Sequence, residues 1–468
     1  MEMLLSAAFG EAISRSIDFF ISKCSKPQAQ DVEGRLGSVL LRAQVIIDEA
    51  MGRQITNQAM LLQLDMLRGA MHRGYYMLDA FRYQCHDKEG AEDQVVSQSL
   101  PLSKANFSNY FSYSSRKTQV FKQMQEVLDS LNSMILDANG TVISLKNYPR
   151  MYRQPYSMHL LLSNCMFDRQ LETQLVINFL LRAQPHRAEK LEVLPIVGPI
   201  RVGKSTLVTD VCNDERVRDH FSEIVFLTDH DFRDEMLSVF TQGSCAMEHR
   251  NGSTRKDGRL LVIIDKLCSA LRRSTTNGTK IIITSRSDKV RKLGTTGVIS
   301  LTYPASDAFC YFFKTLTFGS TDPEQHPRLA YVAMEIAEIL NNTPLIAANI
   351  LASLLRENFD INFWCKLLVF LRGIFQKHIA KFGEHPCDLL NQNRPTCLGR
   401  MMGRASEDFV IYDQYHRTSQ EAVPNITLHD VMYGRAKPKP HGKFEVLGWR
   451  SRIPPYYNLR DRSRRPEG

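Results

Sequence analysis

Gly198-Pro-Ile-Arg-Val-Gly203-Lys204-Ser205-Thr206 fits G-x-x-x-x-G-K-[ST], the phosphate-binding loop. The demands behind that pattern are physical. Glycines let the backbone turn tightly and approach phosphate oxygens without a Cβ in the way. Successive N–H groups then point inward as a nest for an anion. In such a loop the lysine, here Lys204, reaches the β- and γ-phosphates, and the hydroxyl of Ser205 ligates Mg2+. A helix that begins near Lys204 adds the positive end of its dipole. Gly198, Val202, Gly203, Lys204, Ser205 and Thr206 are therefore the candidate nucleotide contacts of this stretch.

Working outward, Leu191-Glu-Val-Leu-Pro-Ile-Val197 is a short apolar run of the kind a buried strand needs. Leu207, Val208 and Val211 continue behind the loop at helical spacing, with Asp214 as a stopping place. Strand, glycine loop and helix form the setting the motif requires, which a chance match in a loop would lack. Further candidate strands are Ile224 to Leu227, Leu260 to Ile264, Lys280 to Thr284 and, more weakly, Val298 to Leu301. Short apolar strands alternating with helical or polar stretches predict a mostly parallel sheet with helices on both faces. The expected fold class is thus an α/β P-loop NTPase over residues 161–315, flanked by an N-terminal helical bundle and a C-terminal helical domain.

Two strand ends carry chemistry. Asp265 closes an entirely apolar strand, where a Walker-B acid would hold Mg2+ together with Ser205. A carboxylate is a poor core residue there, which favours the metal-site role. The next residue is Lys266, which while charged accepts no proton. A second acid that polarises an attacking water is therefore missing, and slow hydrolysis is expected. Arg286 ends the following strand. Its residue type suits a γ-phosphate sensor and equally a surface arginine in a turn.

The flanks are helical. Leu36, Val39, Leu40, Ala43, Ile47 and Ala50 form one apolar stripe, Ile55, Ala59, Leu62 and Met66 a second, and Met60, Leu64, Leu67 and Met71 a third. Residues 1–90 are expected to form a bundle, and 91–160 a linker with one helix that Asn139-Gly140 ends. From Pro323 on, three helices are expected within 316–380. Residues 381–468 are rich in Pro, Gly, Arg and Tyr with little periodicity, and are expected to be a basic, partly disordered tail.

Composition excludes several classes. Of the formal charge of +9, residues 431–468 carry +7, from ten Lys/Arg against three Asp/Glu. A basic tail argues for nucleic acid less than a basic domain face would, so nucleic acid is not an expected partner. The longest apolar run, Pro344 to Leu355, contains Asn349 and is too short to span a bilayer. Met1 to Phe20 lacks a basic start and is interrupted by Glu11, unlike a secretory signal. The ten cysteines show neither C-x-x-C pairs nor zinc spacing and suit reduced thiols in the cytoplasm.

In this order the motifs resemble one family, the coiled-coil-type plant immune receptors with an NB-ARC module and leucine-rich repeats. The most specific likeness is Gly278-Thr-Lys-Ile-Ile-Ile-Thr284-Ser-Arg286-Ser-Asp-Lys-Val290, which resembles the family's sensor strand. Asn342-Thr-Pro344-Leu345 stands where the family has G-L-P-L, which implies that Pro344 packs near the nucleotide. Phe167-Asp-Arg169 with Glu172 is similar to the segment that lies against adenine, which implies Phe167 and Arg169 as contacts. His220-Phe221, ahead of the strand at Ile224, also fits. Val45-Ile-Ile-Asp48-Glu49-Ala50 looks like part of the signalling bundle, and Leu428-His429-Asp430 like the M-H-D motif whose histidine contacts the ADP β-phosphate. The likeness covers roughly residues 1–375.

There are departures: Asp265-Lys266 for two acids, Tyr75-Tyr76 before Asp79 in the N-terminal acidic motif, and Asn342-Thr343 for G-L. No leucine-rich repeats follow, so a truncated receptor, or one acting beside a full-length partner, is expected.

The resemblance implies a switch that holds ADP at rest and takes ATP with Mg2+ on activation, in defence against pathogens. It implies other immune receptors or signalling proteins as partners of the N-terminal helices, allows self-association, and offers Met1 to Ile21 as a membrane contact. Two further functions compete: an adaptor with a vestigial nucleotide site that pairs through the same helices, and a competent P-loop hydrolase.

Overall fold

Strand β1 (Glu192–Val197) lies in a five-stranded sheet of the computed structural model, between β4 (Lys280–Ser285) and β5 (Ile299–Ser300). β2 (Glu223–Leu227) and β3 (Leu260–Asp265) extend the sheet beyond β4, giving the order β2-β3-β4-β1-β5 with every pair parallel. The structure describes residues 29–84, 109–149, 166–182, 192–227, 260–265 and 280–384. Beyond these it describes 389, 394, 396–398, 401, 409–417, 423–433, 443–452 and 458–464. The chain divides into two compact units, Met1–Gln154 and Pro155–Gly468.

The apolar strands are buried on both faces, which is why they lack polar alternation. Leu194, Ile196, Leu261, Ile263 and Ile282 belong to one core, with α5 (Gln170–Leu181), α6 (Lys204–Cys212) and α7 (Glu215–His220). Val193, Val197, Val262, Ile264, Ile281 and Ile283 belong to a second. This is a P-loop NTPase-like α/β fold.

Pro195 sits in the middle of β1, where a proline would usually break a ladder. Val193 N–H donates to Thr295 Oγ1 at 2.8 Å, and Gly198 N–H to Ser285 O at 3.2 Å. Alternation puts the Pro195 nitrogen on the side of residue 295, where pairing with β5 starts only at Ile196. Asp214, expected as a helix stop, opens α7 instead: its side chain accepts from Arg216 N at 3.0 Å, an N-cap.

Behind the sheet come α8 (Ser306–Phe318), α9 (Pro327–Ile339), α10 (Leu345–Glu357) and α11 (Ile361–Phe382). Trp364 is 0% exposed, and its Nε1 donates to Leu355 O at 3.1 Å and Asn358 O at 2.9 Å. Phe318 and Phe359 meet it edge to face at 5.6 and 5.4 Å. The last helix runs on to Phe382, just past the 316–380 bounds expected for this helical part.

Within residues 381–468, where composition suggested a partly disordered tail, the described residues include regular structure. Part of it is a second sheet, order β6-β7-β9-β8, antiparallel throughout: β6 (Thr396–Leu398), β7 (Phe409–Arg417), β8 (Phe444–Arg450) and β9 (Asn458–Arg464). Its small core is Ile411, Val446 and Val431, the last on α12 (Leu428–Tyr433).

In the first unit, α1 (Ala29–Met51), α2 (Gln58–Gln84) and α3 (Asn109–Asp137) pack on one another. The first stripe points inward throughout, and so does the third: Met60, Leu64, Leu67 and Met71 are all under 9% exposed. The second splits, with Ile55 buried but Leu62 47% and Met66 61% exposed. The helix assigned to the 91–160 linker is α3, whose Met124, Leu128 and Leu131 join this core. α3 does end directly before Asn139-Gly140, at Asp137, but helical structure resumes there in α4 (Asn139–Leu145). Among the described residues no helix is long and apolar enough to cross a membrane. Residues 1–28 and Lys266 lie outside the described residues.

Candidate functional site

The loop 198–203 leaves β1 at the carboxyl end of the sheet, the usual ligand side of an open α/β fold. Gly198 packs so closely that a Cβ there would stand 2.4 Å from Leu301 O. Gly203 takes φ +98°, the left-handed region that favours glycine, and caps the start of α6. Lys204 opens α6 and folds its ammonium back over the loop, donating to Gly198 O at 2.8 Å and Pro199 O at 2.7 Å. These are the arrangements a phosphate cradle needs: close backbone, a helix N-terminus and a lysine bent over the turn.

α6 is anchored by Leu207, Val208, Val211 and Cys212 in the core. Burial pushes the Cys212 thiol up to about 12 from an ordinary 9.0. The folded value is the higher one, so the stability it adds is full below about pH 9 and lost as pH climbs toward 12. The folded chain is expected to leave Cys212 unmodified by iodoacetamide at about pH 8, because the thiolate is the nucleophile. Mass spectrometry of the alkylated peptide checks this, and rapid native-state labelling would contradict it.

Beside the loop lies an open cleft of about 760 Å3, its mouth included. Met166, Phe167 and Arg169 line it, with Arg201, Val202, Gly203 and Thr206 from the loop and the start of α6. Tyr303, Pro304 and Phe312 follow, and Leu345, Ile346 and Asn349 come from the start of α10. Phe167 is 6% exposed and lies 4.6 Å, centroid to centroid, from Phe312. Arg169 is also buried, bonded to Thr302 O and at 3.2 Å to Glu172 Oε1. Tyr303 Oη donates to Ile200 O at 2.8 Å, tying the cleft wall to the loop.

No protein-family model matches the chain. The disease resistance protein RGA2 of Solanum bulbocastanum is 22% identical over 343 residues, 68% of this chain and 34% of that protein. RGA1 of the same plant is 21% identical over 359 residues, covering 72% and 35%, and RGA4 is 22% identical over 355, covering 70% and 34%. This chain is related to the plant disease-resistance proteins. It spans about a third of the length of these disease-resistance relatives.

Not every candidate site residue of the sequence lines the cleft. Phe167, Arg169, Val202, Gly203 and Thr206 do. Gly198, Lys204 and Ser205 flank it on the loop, with Ser205 exposed. Pro344 is buried one residue before Leu345, so it sets the start of α10 without lining the cleft. Arg286 follows β4 with an exposed side chain, also outside the lining. Asp265 ends β3 opposite Thr284 of β4; its side chain lies outside the described residues. So does that of His429. Its neighbour Asp430 serves the local fold. It accepts from Thr427 N at 3.1 Å and Thr427 Oγ1 at 2.6 Å, and its own N–H donates back to Thr427 Oγ1. That is a capping box for α12. Tyr303, Phe312, Asn349 and the residues from β8 carry no sequence motif, because nothing local marks a residue that only packing brings to a site.

Proposed function

We propose that this chain is an adenine-nucleotide-binding switch of the NB-ARC type acting in plant defence, with slow or no ATP hydrolysis. The observation that carries it is Lys204 bent onto the Gly198 and Pro199 carbonyls at the start of α6, beside an aromatic cleft. The relationship to disease-resistance proteins supports the defence setting. The loop's backbone suits a phosphate cradle: Gly203 takes the positive φ that the turn into α6 needs, and the absent Cβ at Gly198 lets the loop pack against Leu301 O.

On binding, Lys204 exchanges its two carbonyls for β- and γ-phosphate oxygens, and the loop amides donate to the same groups. Ser205 and Asp265 would hold Mg2+, which supplies neutralisation of phosphate charge. Phe167, with Phe312 behind it, flanks the base. Arg286, beyond β4, is proposed to meet a γ-phosphate. With Lys266 after Asp265, no second acid is in sequence to activate water, which suits retention of ADP over turnover.

Partners, other immune receptors or signalling proteins, are proposed to meet the N-terminal helices. Leu41 (65% exposed), Val45 (45%), Leu62 and Met66 support this as apolar side chains at i, i+4 spacing on α1 and α2. The same residues favour the second reading, an adaptor whose nucleotide site has decayed.

The nucleotide released from the purified chain by denaturation separates the two. Near-stoichiometric ADP, lost in Lys204→Ala, is expected for the switch. A folded but empty chain leaves the adaptor.

A further inference from the structure

The cleft is also lined from the second sheet: by Trp449 near the end of β8, and by Ser451 and Arg452 just beyond it. Their placement rests on one irregularity. Leu447 lies opposite Arg460 of β9 and Trp449 opposite Leu459, so Gly448 is an extra residue, a β-bulge. Without it, Trp449 would face away from Val446. With it, Trp449 shares the face of Val446 and Phe444, the apolar face packed on α12. The bulge thus re-aims an aromatic ring at the sheet's end toward the cleft, where it is half-buried.

The chemistry of the completed cleft is selective. It holds three arginines (Arg169, Arg201 and Arg452) and four aromatic rings, and no carboxylate is among its described lining residues. Glu172 offsets the charge of Arg169, while Arg452 is exposed at the rim. A planar aromatic ligand bearing negative charge suits such a surface.

We propose that Trp449 and Arg452 are nucleotide-binding residues, the ring against the purine base and the guanidinium toward the phosphates. This rests on the nucleotide-switch reading above. The second sheet then becomes part of the nucleotide site, and occupancy of the cleft is linked to its position.

The full chain, stripped of nucleotide, is titrated with ADP by calorimetry. Trp449→Ala is expected to weaken binding about tenfold, as loss of a stacked base does. Arg452→Ala is expected to weaken it about fivefold, for a lost charge-assisted contact at an exposed rim. Trp449→Phe should recover most of the loss. The chain has two tryptophans and Trp364 is fully buried, so acrylamide quenching reads Trp449. Saturating ADP should shield it.

If both alanine variants bind ADP like the parent, quenching is unchanged and Lys204→Ala abolishes binding, the proposal is overturned and the nucleotide reading stands. If the parent binds no nucleotide, the reading itself fails and takes the proposal with it. Should Trp449→Ala disturb the sheet, Arg452→Ala, on an exposed side chain, decides.

Discussion

Lys280→Met is expected to cost about 3 kcal/mol of stability, the usual scale for removing one partner of a buried charged pair. Lys280 is 2% exposed in β4, the strand whose sequence most resembles the receptor family. Its ammonium donates to Phe179 O at 2.7 Å, Leu180 O at 3.0 Å and Arg182 O at 2.7 Å. Those are carbonyls at the C-terminal end of α5, which have no partner within the helix. The ammonium also lies 3.5 Å from Glu192 Oε2 on β1. One lysine therefore caps a helix, meets the negative end of its dipole and pins that helix to the amino-terminal end of the central strand β4. Methionine matches the volume and leaves the carbonyls and Glu192 unsatisfied. Lys280→Arg keeps the charge, but a planar fork does not match three carbonyls converging on one point, so less than half the loss should be recovered. Urea denaturation followed by circular dichroism checks this. An unchanged midpoint for Lys280→Met would refute the capping role.

Gly198→Ala is expected to reduce ADP affinity at least tenfold and to cost about 2 kcal/mol of stability, the scale of overpacking a close-packed site. The new Cβ would stand 2.4 Å from Leu301 O, a backbone atom with little freedom to yield. Leu301 N–H is tied to Val197 O at 2.8 Å, and Gly198 N–H to Ser285 O at 3.2 Å. The loop is thus pinned to β4 on one side and to the end of β5 on the other, and relief moves the first turn of the cradle. Lys204 then loses the Gly198 carbonyl it now holds. Calorimetry with ADP and a thermal melt read the two effects separately. Parent-like affinity in Gly198→Ala would mean that close backbone approach is not what positions the phosphates.

Strand, loop and helix around residues 192–212 were legible because each demand there is local. The glycines answer a backbone shape, the valines and isoleucines of β1 and β4 answer burial on two faces, and Lys204 sits at a fixed offset. The second sheet was illegible for the opposite reason. β9 is Asn-Leu-Arg-Asp-Arg-Ser-Arg, and its stability comes from backbone pairing with β7 and β8 and from a core of a few residues gathered from distant segments. Charged strands of that kind carry too little apolar alternation to separate them from a solvated tail.

By itself, the sequence determined the strand, loop and helix of residues 192–212, the parallel character of the first sheet, the inward stripe of α1 and the likeness to disease-resistance proteins. All four rest on spacing between near neighbours. Tertiary structure alone decided that Lys280 caps α5, that Leu62 and Met66 face outward, and that a bulge at Gly448 carries Trp449 to the cleft. Each depends on which segments meet in space, or on one unpaired residue that inverts a face. Local propensity and periodicity hold no record of such meetings.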